Sequence, residues 1–186
     1  VSPDLHLIEL REPVTAHVDA GTLSRVAARA RRRAVRAGDG EVDTGHLLHA
    51  LLESDDRVLG LAAPLPAQAT RLMGYLVQRS IGFGRAWKSD EGVELRRLGD
   101  HATLRWSTPA EDALQQAARA ALVRPGTAEA DALDLLAALA EDPRSRATEI
   151  MRGAGVDPEA VAARVRTAVA GEPEGELDAE VRSEAG

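Results

Sequence analysis

One duplication constrains this chain more than any other feature. Shifted by 88 positions, residues 26–53 align with residues 114–141 without a gap, and 12 of the 28 pairs are identical, among them Arg31/Arg119, Gly38/Gly126, Asp43/Asp131, Leu47/Leu135, Leu48/Leu136, Leu51/Leu139 and Glu53/Glu141. A repeat longer than one helix implies a duplicated supersecondary unit, each copy burying its apolar face against the other.

Each copy reads as helix, glycine-containing loop, helix. In the second copy, Thr108-Pro109-Ala110-Glu111 offers an N-cap at Thr108, a proline at the first helical position and a capping-box glutamate. That helix is predicted to run to about Val123, where Pro125-Gly126 stop it. Asp43 and Asp131 are placed to accept from the free amides of the following helices. Leu47, Leu48, Leu51 and Leu52, matched by Leu135, Leu136, Leu139 and Ala140, recur at the spacing of a buried helical stripe. A short helix ending near Met151 and another opened by Asp157-Pro158-Glu159 complete the second copy, and Pro66 opens the last helix of the first. About eight helices in an all-α bundle are expected. With aromatics only 2% of the sequence, alanine and aliphatic contacts must fill the core.

Residues 1–19 form an N-terminal extension, 20–81 the first copy, 82–107 a connector, 108–171 the second copy and 172–186 an acidic tail. The connector sequences GVELRRL and HATLRWS flank Gly99-Asp100, so a short β-hairpin is expected there. Phe83, Trp87 and Trp106 lie in the connector and Tyr75 just before it, which gathers all four aromatics of the chain in one region. They are candidates for an apolar anchor that holds peptide, or for a plug between the copies. The tail carries six acids and one arginine, so it accounts for −5 of the net charge of −7. It is expected to be mobile, because its few apolar residues cannot offset the entropy of ordering.

His46 and His49 stand at metal-ligand spacing on a helix. The second copy replaces them with Asp134 and Ala137 while keeping the surrounding leucines. They are therefore expected to be helix-packing or surface histidines, and no metal is expected, because a structural zinc site needs four ligands. Arg25, Arg29, Arg32 and Arg36 fall along one helical stripe opposite Val26, Ala30, Ala34 and Ala37. This face could meet phosphates, nucleic acid or an acidic partner; its alternative is a solvated face, at times covered by the acidic tail. A nearly neutral body makes nucleic acid the weaker expectation. The sequence has no P-loop, dinucleotide glycine pattern or nucleophile elbow, and no cysteine. No enzyme activity and no cofactor are expected. The N-terminal sequence lacks the pattern of a signal peptide and no apolar run reaches spanning length, so a cytoplasmic protein off the membrane is expected.

The motifs TGHLLHALLE, STPAEDALQQAARAA and GAGVDPEAVAARV, set in a duplicated helix-loop-helix, resemble the Clp N-terminal repeat domain of the ClpA/ClpC type of AAA+ unfoldases over residues 20 to 171. The resemblance implies an eight-helix pseudo-twofold bundle that docks adaptors and substrates for an ATPase and its peptidase. No ATPase module follows in residues 172–186, so the chain is expected to be either a fragment or, the favoured expectation, similar to stand-alone Clp-N proteins. A non-catalytic adaptor, decoy or sequestering module is implied. Its expected partners are proteins or peptides, including the unfoldase, its substrates and adaptors, or cyclic peptides. In two places the family pattern changes. Gly45 and Leu133 replace the glutamates that the resemblance assigns to phosphoarginine, so weak or no binding of that ligand is expected. Ser107 replaces an aromatic before Thr-Pro, with Trp106 one residue earlier.

Overall fold

The computed structural model describes residues 21–80, 104–124 and 129–171. Among them are eight helices: α1 (Thr22–Ala37), α2 (Thr44–Leu52), α3 (Asp56–Ala62), α4 (Pro66–Ser80), α5 (Thr108–Val123), α6 (Ala132–Glu141), α7 (Arg146–Gly153) and α8 (Pro158–Ala170). Two two-residue strands join them, β1 (Glu41–Val42) and β2 (Arg105–Trp106).

The leucine stripes become the centre of the bundle. Every residue of α2 is buried, as are all but two of α6, so both are apolar around most of their circumference and need neighbours on every side. They receive them by a pseudo-twofold exchange: α2 packs against α6, α2 meets α7 of the other copy, and α6 meets α3. The flanking helices present small residues. Leu23, Val26, Ala30 and Ala34 of α1 lie on α2, and Ala110, Ala113, Ala117 and Ala121 of α5 lie on α6. An alanine stripe permits close approach of two backbones, which is how a chain with four aromatics fills its core.

The caps explain where the helices begin. The Asp43 carboxylate accepts from the amides of Gly45 and His46 at 2.9 and 3.1 Å, and Asp131 does the same for Leu133 and Asp134 at 2.7 and 3.0 Å. Each box is closed from the third helical position: Nδ1 of the neutral His46 ring accepts from the Asp43 amide at 3.1 Å, and the Asp134 carboxylate from the Asp131 amide at 3.0 Å. His46 and Asp134 therefore do the same backbone work, and both histidines of the pair are buried within the helix packing.

Two local expectations are corrected. The N-cap of α5 is Ser107, whose hydroxyl accepts from the Ala110 amide, so the helix starts one residue earlier than the Thr-Pro signal implied. The reciprocal capping boxes lie at Asp43/His46 and Asp131/Asp134 and not at Glu111. The C-terminal arm of the expected hairpin is extended, but Arg105 and Trp106 pair in parallel with Glu41 and Val42 of the other copy. A two-residue turn joins antiparallel strands, so this pairing is a crossover between copies. Residues 92–103, the rest of that hairpin, lie outside the described residues.

The pseudo-symmetry is broken at the last helix of each copy. α8 packs along α6, its own central helix, whereas α4 touches α2 lightly and lies on α1 and α7. Gly155 makes the turn that α4 covers: at φ +75° it adopts a backbone conformation costly for other residues, and its carbonyl accepts from Gln68 Nε2 at 3.2 Å.

Candidate binding site

An open groove of about 450 Å³ lies in the second copy. Its floor is α6, from Leu133 and Asp134 through Ala137 and Ala138 to Glu141. One wall is the end of α5 (Gln116, Ala120, Val123) and the other is α8 (Val165, Val169). The volume falls in the range of sites that take small ligands or a few side chains. The walls stay apart because α5 and α8 each pack on α6 rather than on one another.

Polar groups close the two ends. At the N-terminal end of α6, Arg124 forms an ion pair with Asp134 and a longer one of 3.4 Å with Asp131. Burial pushes the Asp134 carboxyl up, against the pull of the Asp131 amide and the Arg124 guanidinium. At the other end Glu141 accepts from Gln116 Nε2 at 2.7 Å and from Arg166 at 3.3 Å. Leu133, one of the two positions where the family resemblance called for a carboxylate, is buried and apolar beside the groove.

The equivalent position in the first copy is plugged. His49 stands where the second copy has Ala137, and Arg33 where it has Ala121. Arg33 donates to Nδ1 of His49 at 3.2 Å and pairs with Glu53, while Nε2 of His49 faces Glu53 Oε1 at 3.2 Å. An arginine can only donate, so Nδ1 is the acceptor and the proton of the neutral ring sits on Nε2. Burial and the facing guanidinium, opposed by Glu53, lower His49 to a pKa of about 4. His46 goes the other way: burial lowers it, but the carboxylates of Asp39, 2.9 Å from Nε2, and Asp43, 2.9 Å from Nδ1, outweigh that and raise it. Among the described residues no group of three or more acidic or histidine side chains is arranged to hold a metal.

The residues singled out from sequence are not gathered in one place. Trp106 is half-buried against the core, and the guanidinium of Arg31 sits 5.1 Å from its ring centroid. Tyr75 lies on α4, 49% exposed, with its ring edge over Gly153 of α7. Phe83 and Trp87 lie outside the described residues. Arg25, Arg32 and Arg36 are exposed on α1 and Arg29 is half-buried. The groove escaped the sequence reading, although one signal for it was present: the exchange of His49 for Ala137 between otherwise matched helices.

The geometry has counterparts among known proteins. Residues 105–183 match the model of the family described as the Clp repeat N-terminal domain. Nine solved chains match in structure. One is the N-terminal domain of Hsp104 from Candida albicans, 15% identical with a TM-score of 0.58, where the alignment covers 76% of this chain and 85% of that one. At that identity the likeness is one of fold. No curated protein matches in sequence. No helix among the described residues is long and apolar enough to cross a membrane.

Proposed function

We propose that this chain, whose residues 105–183 match the Clp repeat N-terminal domain, is a non-catalytic module of the Clp protease system that binds aliphatic segments of protein substrates or adaptors. The observation that supports this is the groove of the second copy. It is apolar along its length, open to solvent, and bounded by ion pairs already satisfied within the protein. A site of that kind favours leucine, isoleucine or valine side chains, whose transfer from water contributes roughly 1.5–3 kcal/mol each when fully buried. It disfavours phosphoarginine, whose guanidinium would meet Leu133 and find no carboxylate there.

The aromatics have different parts in this proposal. In it Trp106, half-buried against the core beside the β1–β2 pair, serves the fold, while Tyr75 is a peripheral contact. In this proposal the protein works with its partners in a cytoplasmic protease system, as adaptor, decoy or sequestering protein.

The experiment is a titration of a fluorescent, unfolded aliphatic-rich peptide, followed by anisotropy. Wild-type protein is expected to bind, and Ala137→Trp, which fills the groove from its floor, to bind at least tenfold more weakly while keeping its helical circular dichroism. Equal binding by a folded Ala137→Trp variant would remove the groove from the proposal.

A further inference from the structure

The outward face of α1 is unusual in its charge. The helix carries six arginines and no acid. Two are engaged: Arg31 over Trp106 and Arg33 on Glu53. Arg25, Arg29, Arg32 and Arg36 have no carboxylate partner among the described residues, and Arg25 makes only a bond to the Thr22 hydroxyl. At about 1.5 Å rise per residue they form a ridge roughly 16 Å long, with steps of about 4.5 to 6 Å. The matching helix α5 has a single arginine, Arg119, bonded to Gln115.

We infer that this ridge is an anion-recognition surface and that its occupant in the free protein is the chain's own acidic segment, residues 172–186. Charge complementarity is the first reason. Acids stand at 172, 174, 176, 178, 180 and 184, offset by Arg182 alone, whereas the rest of the chain is within two charges of neutrality. Spacing is the second. From Glu172 to Glu180 acids at every second residue would share one side of an extended segment, about 6.5 Å apart, close to the step from Arg25 to Arg29 or from Arg32 to Arg36; Arg182 interrupts the row before Glu184. Pro173 and Gly175 oppose a helix that would break that alternation.

Reach is the third. The segment starts after Gly171 at the end of α8, which packs on α6, which in turn touches α1. Two interhelical steps amount to roughly 20 Å, and 15 extended residues span up to about 50 Å. About six residues suffice to cross that gap, so Asp178, Glu180 and Glu184 are within reach of the arginines. Nucleic acid is the other polyanion that could use the ridge, but the net charge of −7 repels it at long range. A short acidic segment meets only the local field, since charges beyond about 10 Å are screened at 0.1 M salt.

Because the chain has no cysteine, Ser183→Cys gives a single site for a nitroxide label. At 20 mM salt the amide resonances of α1 from Arg25 to Arg36 are expected to broaden and those of α5 to stay sharp. The effect should vanish at 0.5 M salt and in Arg29→Glu/Arg32→Glu. Undisturbed α1 resonances, or equal broadening of α1 and α5, would overturn the inference. So would broadening seen only when label and isotope are on different chains, which would make the occupant a second copy. Stoichiometric duplex DNA binding at 0.15 M salt that frees the label would reassign the ridge to nucleic acid.

Discussion

Asp134 stands in the second copy where His46 stands in the first, and each accepts a hydrogen bond from the backbone amide of the aspartate three residues before it. Beyond that shared bond their partners have opposite charge. Nε2 of His46 faces Asp39, and the Asp134 carboxylate faces Arg124. Asp134→Asn keeps an acceptor for the box and is expected to cost about 1 kcal/mol. Asp134→Ala loses the box and leaves Arg124 only its longer ion pair with Asp131 in a half-buried site, for about 2–4 kcal/mol. His46→Asp places a third carboxylate between Asp39 and Asp43 and is expected to destabilise more than His46→Gln. Urea midpoints compared across the four variants check both orders.

The two histidines give stability opposite dependences on pH. His49 has its folded pKa lowered to about 4, from an ordinary value of 6.5. Its contribution is complete above pH 6.5 and is lost as pH falls towards 4, because the unfolded chain takes up the proton more readily. At full extent this is worth up to about 3 kcal/mol. His46 has a raised folded pKa, so its contribution is complete below 6.5 and is lost as pH rises through the folded value. In His49→Gln the fall in urea midpoint between pH 7 and pH 4.5 is expected to shrink. An unchanged slope would show that His49 takes up its proton at the same pH in the folded protein as in the unfolded chain.

The duplication was legible because packing positions repeat as identities: Leu47 and Leu135, or Asp43 and Asp131, keep their roles in both copies. What composition and spacing could not show was the relation of elements distant in sequence. Arg105-Trp106 alternates like a strand, but nothing local says that its partner is Glu41-Val42, some 60 residues earlier, or that the pair is parallel. The groove was hidden for the same reason. Replacing His49 by Ala137 removes volume from a helix face, but that volume stays open only because α8 lies along α6 with its wall apart from α5, and α4 has no such place on α2. The one-residue shift at the start of α5 has a simpler cause: Ser107 and Thr108 are both competent caps, Ser the better, and β2 holds Ser107 extended, its amide donating to the Val42 carbonyl at 3.0 Å.

Thr44 reaches across the copies. Its hydroxyl accepts from the amide of Ala147 in the first turn of α7 at 3.0 Å, and both residues are fully buried. Thr44→Val preserves shape but leaves that amide without an acceptor, so a loss of about 1–3 kcal/mol is expected. Thr44→Ser keeps the oxygen and should recover most of it. Thermal denaturation of the pair against wild type separates the hydrogen bond from the lost methyl group.

The contact between Arg31 and Trp106 tests whether that tryptophan serves the fold or a ligand. The guanidinium lies 5.1 Å from the ring centroid, close enough for a cation–π attraction of about 0.5–2 kcal/mol. The ring itself packs on the core beside the strand that joins the copies, so its truncation removes apolar contact as well as the cation's partner. Arg31→Ala is therefore expected to cost at most about 1–2 kcal/mol, and Trp106→Ala about 2–4 kcal/mol because it also opens a cavity at the joint. Trp106→Phe should fall between them. If Trp106 is structural, the peptide affinity of Trp106→Phe stays within twofold of wild type while its urea midpoint drops. A large loss of affinity at unchanged stability would instead make Trp106 a ligand anchor, with Arg31 as its cover.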